Sequence, residues 1–521
     1  MAVTKTAPKA ISQDSLLLSW SLEQDHPRQP IGFTFDSEKT EDTLSKRKLD
    51  PILLSAGGHV ATIAPTGTGK GVSCIIPNLL NYSGQTLVVD PKGENYAVTA
   101  EFRRSLGHRI VKLDPFNVTQ TGDGDSLNAL DLIPVDKPGM ASLPDECLSL
   151  ARVLIELEGK DKFWDSSAQS LIAVMIGLTA IEHTDNRNLL SVTKGLGATS
   201  KSLFHKFSDF NQRTNSLFSA LIAPLLSAPP NTLGSILTVA RHQMSAFNHG
   251  AASQCIERSS FSLLDYIAGK PMTIYLILPP DKLHSHRKLL RLWISTFIKL
   301  ALKRQGALPQ PTLMMVDETA QLGTLDELAQ AITLLRGYGV QLWTFWQDLD
   351  QLKHLYPDQW RTLLNNCKAI QAFGLPNRMA CEQVTAITGK PAIADVLDLD
   401  RDEMLLQLAG DDAVVAQKPN YLADATFAGR FNPNPYHTEH NAKGFLPVNP
   451  QRIYVRKPTG ELPPGVKALP EPSASLFATE TEPAKKRTGG VLKRRLPTTT
   501  DIKDGQTDDA SKNTPSDSGT K

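Results

Sequence analysis

The sequence predicts an α/β protein: a mostly parallel, helix-covered sheet interrupted by an all-helical insertion. Three observations predict it. Short apolar runs rich in β-branched residues alternate with helical patterns in two separate stretches of the chain. A Gly-rich segment, APTGTGKG over 64–71, joins one such run to a helix. Between them, from 134 to about 260, helical patterns run on with no convincing strand.

Taken in order, 1–48 reads as an irregular N-terminal section. Residues 59–64 read as a strand, then a Gly-rich turn, then a helix over 72–80. A strand at 86–89, a helix at about 96–106 and a strand at 109–113 follow. In the insertion, 171–181 and 217–226 are the clearest helices, and Pro224 is expected to end or kink the second. Alternation resumes with strands at 272–278, 312–316, 340–345 and 369–373 and helices at 287–302 and 325–335. The expected units are 49–133 with 261–440 as one α/β domain and 134–260 as the helical one. An irregular extension over 441–470 and a disordered tail over 471–521 complete the chain.

The chain has 521 residues, 40% hydrophobic and 21% charged, an ordinary globular composition with room for about three domains of ~150 residues. A formal net charge of +1 excludes a uniformly basic nucleic-acid binder but not a local basic channel. The tail holds nine of the 55 basic and eight of the 54 acidic side chains, so the body is formally neutral. No apolar stretch approaches the ~20 residues needed to span a bilayer. The first forty residues contain no signal-peptide core, and five scattered cysteines (Cys74, Cys147, Cys255, Cys367, Cys381) fit reduced thiols. A cytoplasmic location is expected, and the histidines form no set that predicts a structural metal.

Chemistry concentrates in two places. In the strand–loop–helix context, Thr66, Gly67, Thr68, Gly69, Lys70 and Gly71 are expected to form a phosphate-binding loop for ATP, with backbone N–H groups wrapped around the phosphates and the Lys70 ammonium contacting the β- and γ-phosphates. Against the pattern GxxxxGK[ST], Ala64 replaces the first Gly and Gly71 the hydroxyl residue that touches Mg²⁺, leaving water as the easiest substitute. Roughly 240 residues later, TLMMVDE over 312–318 is an apolar strand ending in two acids. Asp317 is expected to hold Mg²⁺ through water and Glu318 to act as general base on the attacking water. Asp90, closing the strand at 86–89, is expected at the same ligand-gathering edge of the sheet.

Several long blocks, in order, resemble type IV secretion coupling proteins of the conjugative DNA transfer group (TraG/TraD-type P-loop ATPases). They are the phosphate loop through 80, LVVDPKGENYAVTAEFRRSLGHRIVKLDPF over 87–116, FWDSSAQSLIAVMI over 163–176, MMVDETAQLG over 314–323, and 336–374 with RGYGVQLWTFWQDLDQLKHLY. The resemblance covers roughly 50–435 and implies a RecA-like motor domain carrying an all-α domain. It implies ATP and Mg²⁺ as cofactors and a homo-hexameric ring that recruits a relaxase or relaxosome and drives single-stranded DNA into the channel components of a type IV secretion system. Arg336, 19 residues after Asp317, matches the family's arginine finger, and Gln347 a γ-phosphate sensor. Members often carry N-terminal transmembrane helices; the roughly fifty residues before the motor hold none, so membrane contact is expected only through partner proteins at the inner membrane. Two other readings stand beside this one: a substrate-receptor or adaptor for protein effectors with little DNA pumping, and a partition-type DNA translocase. Phe163, Trp164, Tyr338, Trp343 and Trp346 are expected in the core or at domain contacts rather than stacking on bases.

Overall fold

The computed structural model describes residues 11–21, 50–55, 57–157, 161–182, 186–248, 250–389 and 392–437. The expected extension at 441–470 and the tail at 471–521 lie outside the described residues, as does most of the N-terminal section.

Eleven strands form one sheet: β1 (Leu16–Trp20), β2 (Pro51–Leu54), β3 (His59–Ile63), β4 (Thr86–Val89), β5 (Arg109–Leu113), β6 (Met272–Leu276), β7 (Thr312–Val316), β8 (Val340–Trp346), β9 (Cys367–Ala372), β10 (Glu403–Leu408) and β11 (Val414–Gln417). Their spatial order is β2-β1-β11-β10-β9-β3-β8-β7-β4-β6-β5. From β9 to β5 every pair is parallel, in register such as Ala61↔Thr344 and Met314↔Leu342. From β9 to β2 the pairs are antiparallel. The mostly parallel RecA-like sheet is therefore as expected, with an antiparallel wing added on one side.

That wing corrects one expectation. The N-terminal section does not stay irregular: LLLSW over 16–20 is fully buried and forms β1 between β2 and β11. Three consecutive leucines inside a polar stretch are too few for a periodicity signal, and the strand exists because its partners arrive from 30 and 400 residues downstream.

Alternate residues of the central strands point to opposite faces, and both faces are covered. Ala61, Ile63, Leu87, Val89, Met314 and Val316 enter one core; Val60, Val88, Leu313, Met315, Trp343 and Phe345 enter the other. Such two-sided burial explains why these strands read as unbroken apolar runs. Flanking helices include α1 (Ile76–Asn81), preceded by a π turn at Gly71–Ile75, and α2 (Glu94–Ser105). Between β5 and β6 the described residues hold helices and no strand, among them α3 (Leu143–Leu154), α4 (Phe163–Glu182) and α5 (Pro230–Gln243). Then come α6 (Pro280–Leu302), bent at His286, and α7 (Asp326–Leu334).

The helical insertion does not carry an isolated core. Leu171, Ile172 and Met175 of α4 belong to the same apolar cluster as Ala61 and Val316 of the sheet. Pro224 sits inside a helix, Ser219–Ser227, rather than ending it. Phe163 departs from expectation: it is 53% exposed, set edge-on against Trp164, whereas Trp343 and Trp346 are buried as expected.

Candidate functional site

Four strands that are neighbours in the sheet, β3, β8, β7 and β4, end side by side at its carboxyl edge. Each is followed by a residue able to do chemistry. The Gly-rich loop follows β3, Gln347 follows β8, Asp317 and Glu318 follow β7, and Asp90 follows β4. Placing β8 between the loop strand and the acid strand brings the amide of Gln347 within hydrogen-bond reach of Glu318.

The loop turns on Gly67 and Gly69, at φ +82° and +95°, backbone angles that side-chain-bearing residues rarely adopt. Thr66 and Gly67 are exposed, and nothing lies within 4 Å of where a Cβ on Gly67 or Gly71 would stand, so the loop's mouth is open. On its other side it is held tightly. A Cβ on Gly374, at φ +66°, would stand 2.3 Å from Thr68 Cγ2. The Thr68 hydroxyl donates to the Pro65 carbonyl at 2.7 Å.

Lys70 is 8% exposed, and its ammonium donates to the carbonyls of Ala64 (3.0 Å) and Pro65 (3.2 Å). It stands 3.9 Å from Glu318 Oε1. The other carboxylate oxygen, Glu318 Oε2, accepts from Gln347 Nε2 at 2.7 Å. Glu318 has left-handed backbone angles, φ +50° and ψ +47°. For a residue other than Gly this costs roughly 1–3 kcal/mol, a cost that persists at sites where a side chain must be aimed. Lys70, Glu318 and Gln347 thus form one hydrogen-bonded, ion-paired cluster.

Asp317 lies at the floor. Part of its side chain touches solvent while its carboxyl is enclosed by protein on nearly all sides; one oxygen accepts from the Glu318 N–H at 3.0 Å. Burial, reinforced by the Glu318 charge and opposed by Lys70, pushes its pKa up to about 6. Asp90 is fully buried and accepts from the N–H groups of Asn95 (3.2 Å) and Tyr96 (2.9 Å), holding the start of α2. Burial outweighs those bonds and pushes Asp90 up to about 7. No group of three or more metal-ligating side chains exists among the described residues. A divalent cation that takes one carboxylate, phosphate oxygens and waters fits Asp317 without needing one.

Arg336 is elsewhere. It is exposed, on the turn Leu335–Tyr338 that leads into β8, and its charge acts on His59 at the start of β3. This is the opposite edge of the sheet from Lys70, about 16 Å away along strands rising ~3.3 Å per residue. Lys70, Asp317, Glu318 and Gln347 are brought together; Arg336 is not.

Two contributors went unread in the sequence. Arg291 of α6, 4% exposed, donates to the carbonyls of Leu322 (2.8 Å) and Thr324 (2.7 Å), pinning the loop that follows Glu318. On its other side, Glu156 just beyond α3 lies 3.6 Å away. A cavity of about 1210 Å³ opens here, behind the acid pair, lined among others by Arg152, Lys162, Lys299 and Glu327; it is not the cleft of the phosphate loop. The second is Lys418, just beyond β11, whose ammonium reaches the Thr68 carbonyl at 3.2 Å. Neither belongs to a short motif, and only the long-range fold reveals them.

Among the described residues, no helix is long and apolar enough to cross a membrane. The chain is similar to a conjugal transfer protein TraG of Escherichia coli, 24% identical over 359 residues, covering 64% of this chain and 55% of that protein. Protein VirD4 of Rhizobium radiobacter is 25% identical over 336 residues, covering 60% and 45%. The chain spans about half the length of these curated relatives. In fold it is similar to the bacterial conjugative coupling protein TrwBdeltaN70, with a TM-score of 0.52 at 16% identity over 71% of this chain and 87% of that one. The plasmid coupling protein TrwB in complex with the ATP analogue ADPNP gives 0.51 at 16% identity over 69% and 84%. The model of the type IV secretory system conjugative DNA transfer family matches residues 32–393, and the chain belongs to that family.

Proposed function

We propose that this chain hydrolyses ATP with Mg²⁺ and, as a homo-hexameric ring, couples that hydrolysis to delivery of single-stranded DNA with its bound relaxase into a type IV secretion channel. The observation that carries the reading is the cluster of Lys70, Glu318 and Gln347 beside Asp317, gathered at one sheet edge from two strand ends and the phosphate loop. The TrwB complex with an ATP analogue supports a nucleotide for this fold.

Lys70 and the loop N–H groups receive the β- and γ-phosphates. Asp317 would hold Mg²⁺ through water, and the ion would neutralise charge developing on the phosphate oxygens. Glu318 takes a proton from the water that attacks the γ-phosphorus as the bond to the β–γ bridging oxygen breaks. Gln347, bonded to Glu318, is the group able to register whether that phosphate is present, because any shift of the carboxylate pulls on its amide.

Arg336 is exposed and lies too far from its own loop to act within one subunit, so in a ring it serves an adjoining subunit's γ-phosphate. Arg336→Ala is expected to lower turnover by about 10³-fold or more. Mixing it with a Lys70→Ala chain should restore part of the activity, because a mixed ring contains interfaces with intact Lys70 facing intact Arg336. Complete lack of restoration at concentrations where rings form would sink the trans role.

The test of the whole reading is phosphate release with and without single-stranded DNA across a salt series. Stimulation by DNA is expected, with log affinity falling against log salt at about 0.7 per phosphate contacted. With a body that is formally neutral, such contacts must be few per subunit and inward-facing, so a shallow per-subunit slope multiplied by the ring is the expected result. Turnover that ignores DNA at every salt would favour the adaptor reading.

A further inference from the structure

We propose that Lys418 is a positioning residue of the nucleotide site: from outside the phosphate loop its ammonium fixes and polarises the Thr68–Gly69 peptide so that the Gly69 N–H binds phosphate. The proposal rests on the nucleotide reading above and adds to it a residue that lies beyond the stretch matched by the family model, 32–393.

The geometry is specific. Lys418 Nζ lies 3.2 Å from the Thr68 carbonyl oxygen and 4.7 Å from the centre of the Phe373 ring, which it overlies. The carbonyl of Thr68 and the N–H of Gly69 belong to one planar trans peptide and point in opposite directions. A cation on the carbonyl side therefore sets the N–H facing the other way. The Gly69 N–H has no protein acceptor among the described residues. A cation bound to a carbonyl also draws electron density along the peptide and makes its N–H a stronger donor. An anion held by such N–H groups gains from both effects.

Lys418 is itself anchored at both ends. Its own N–H donates to the Asp402 carbonyl at 2.7 Å, and β11 pairs with β10 and β1 just before it. After it the chain folds back onto the helix that leaves the phosphate loop, burying Tyr421 and Phe427 against Ile76, Leu80 and Val98. Gly374, the residue after Phe373, closes the other side of Thr68. Thr68 is thereby gripped between Lys418 and the end of the β9 strand.

Stability does not explain the lysine. Its ammonium is half-buried, and burial lowers its pKa against the opposing pull of Cys74 and Asp402, yet among the described residues the only contacts it makes are one neutral hydrogen bond and one ring contact. A methionine of similar length would keep the packing on Phe373 without carrying a half-buried charge. The charge is accounted for by a task at the loop.

The experiment uses the full chain with Lys418→Met and Lys418→Arg. Affinity is read by titration with a fluorescent ADP, turnover by phosphate release, and stability by thermal unfolding without nucleotide. Lys418→Met is expected to weaken ADP binding and raise KM about tenfold. Its kcat should stay within about twofold and its unfolding temperature without nucleotide should not fall, while Lys418→Arg recovers most of the affinity. Wild-type affinity in the Met variant overturns the proposal. So does a loss of affinity that follows a loss of stability and is not recovered by arginine. A wild-type chain that binds no ADP overturns the nucleotide reading itself, and this proposal with it, which the wild-type titration separates from the first outcome.

Discussion

Lys70→Ala is expected to reduce ATP turnover at least about a hundredfold, the scale of losing a preorganised donor at a developing anion. It should leave the fold in place. The ammonium sits at the meeting point of the loop carbonyls of Ala64 and Pro65 and the Glu318 carboxylate. Once it is gone, the cleft presents Asp317 and Glu318 to a polyanionic phosphate with no inner cation against them. Two like charges 5 Å apart repel by roughly 3 kcal/mol at an effective dielectric constant of 20, so even one uncompensated carboxylate is felt. Binding should therefore weaken together with kcat. Circular dichroism should be unchanged, because the loop's shape is set by Gly67, Gly69 and the wedge of Gly374 on Thr68 rather than by the lysine. Arginine should not rescue, since a planar fork cannot take the place of a compact ammonium between two adjacent carbonyls. Robust phosphate release by Lys70→Ala would remove the loop from the mechanism.

The charged heart of this site was readable because its chemistry is local in sequence. A Gly-rich loop between a strand and a helix, and two acids closing an apolar strand, are short patterns whose meaning survives without coordinates. The seven parallel strands were likewise legible, since burial on both faces forces continuous apolar runs such as 312–316 and 340–346. What escaped depends on partners far away. Strand β1 is defined by pairing with β2 and β11, and its own five residues carry no period long enough to announce it. Arg291 and Lys418 look like ordinary cations in sequence. Their roles come from carbonyls 31 and 350 residues distant. Arg336 shows the converse: its role was named from a resemblance, and the fold keeps it away from its own phosphate loop, because its turn opens the strand whose far end carries Gln347.

Glu318→Gln separates binding from chemistry, and here the structure predicts more than a loss. Removing a general base should slow hydrolysis about 10²–10⁴-fold. Nucleotide affinity, by contrast, should hold or rise. In the resting site the glutamate draws on Lys70 from 3.9 Å and so competes with the incoming phosphate for the same ammonium. A glutamine keeps the side-chain shape and can still accept from the Gln347 amide, but it carries no charge to hold the lysine back. The left-handed backbone of residue 318 tolerates either side chain equally, so the substitution should not shift the loop that Arg291 pins behind it. The measurement is a pair: affinity for ATP by fluorescence titration and phosphate release in a single turnover. Tight binding with release slowed at least a hundredfold is the expected outcome. Release at the wild-type rate would show that another group takes the proton, whereas weakened binding would show that Glu318 holds the phosphate cleft open rather than competing for its lysine.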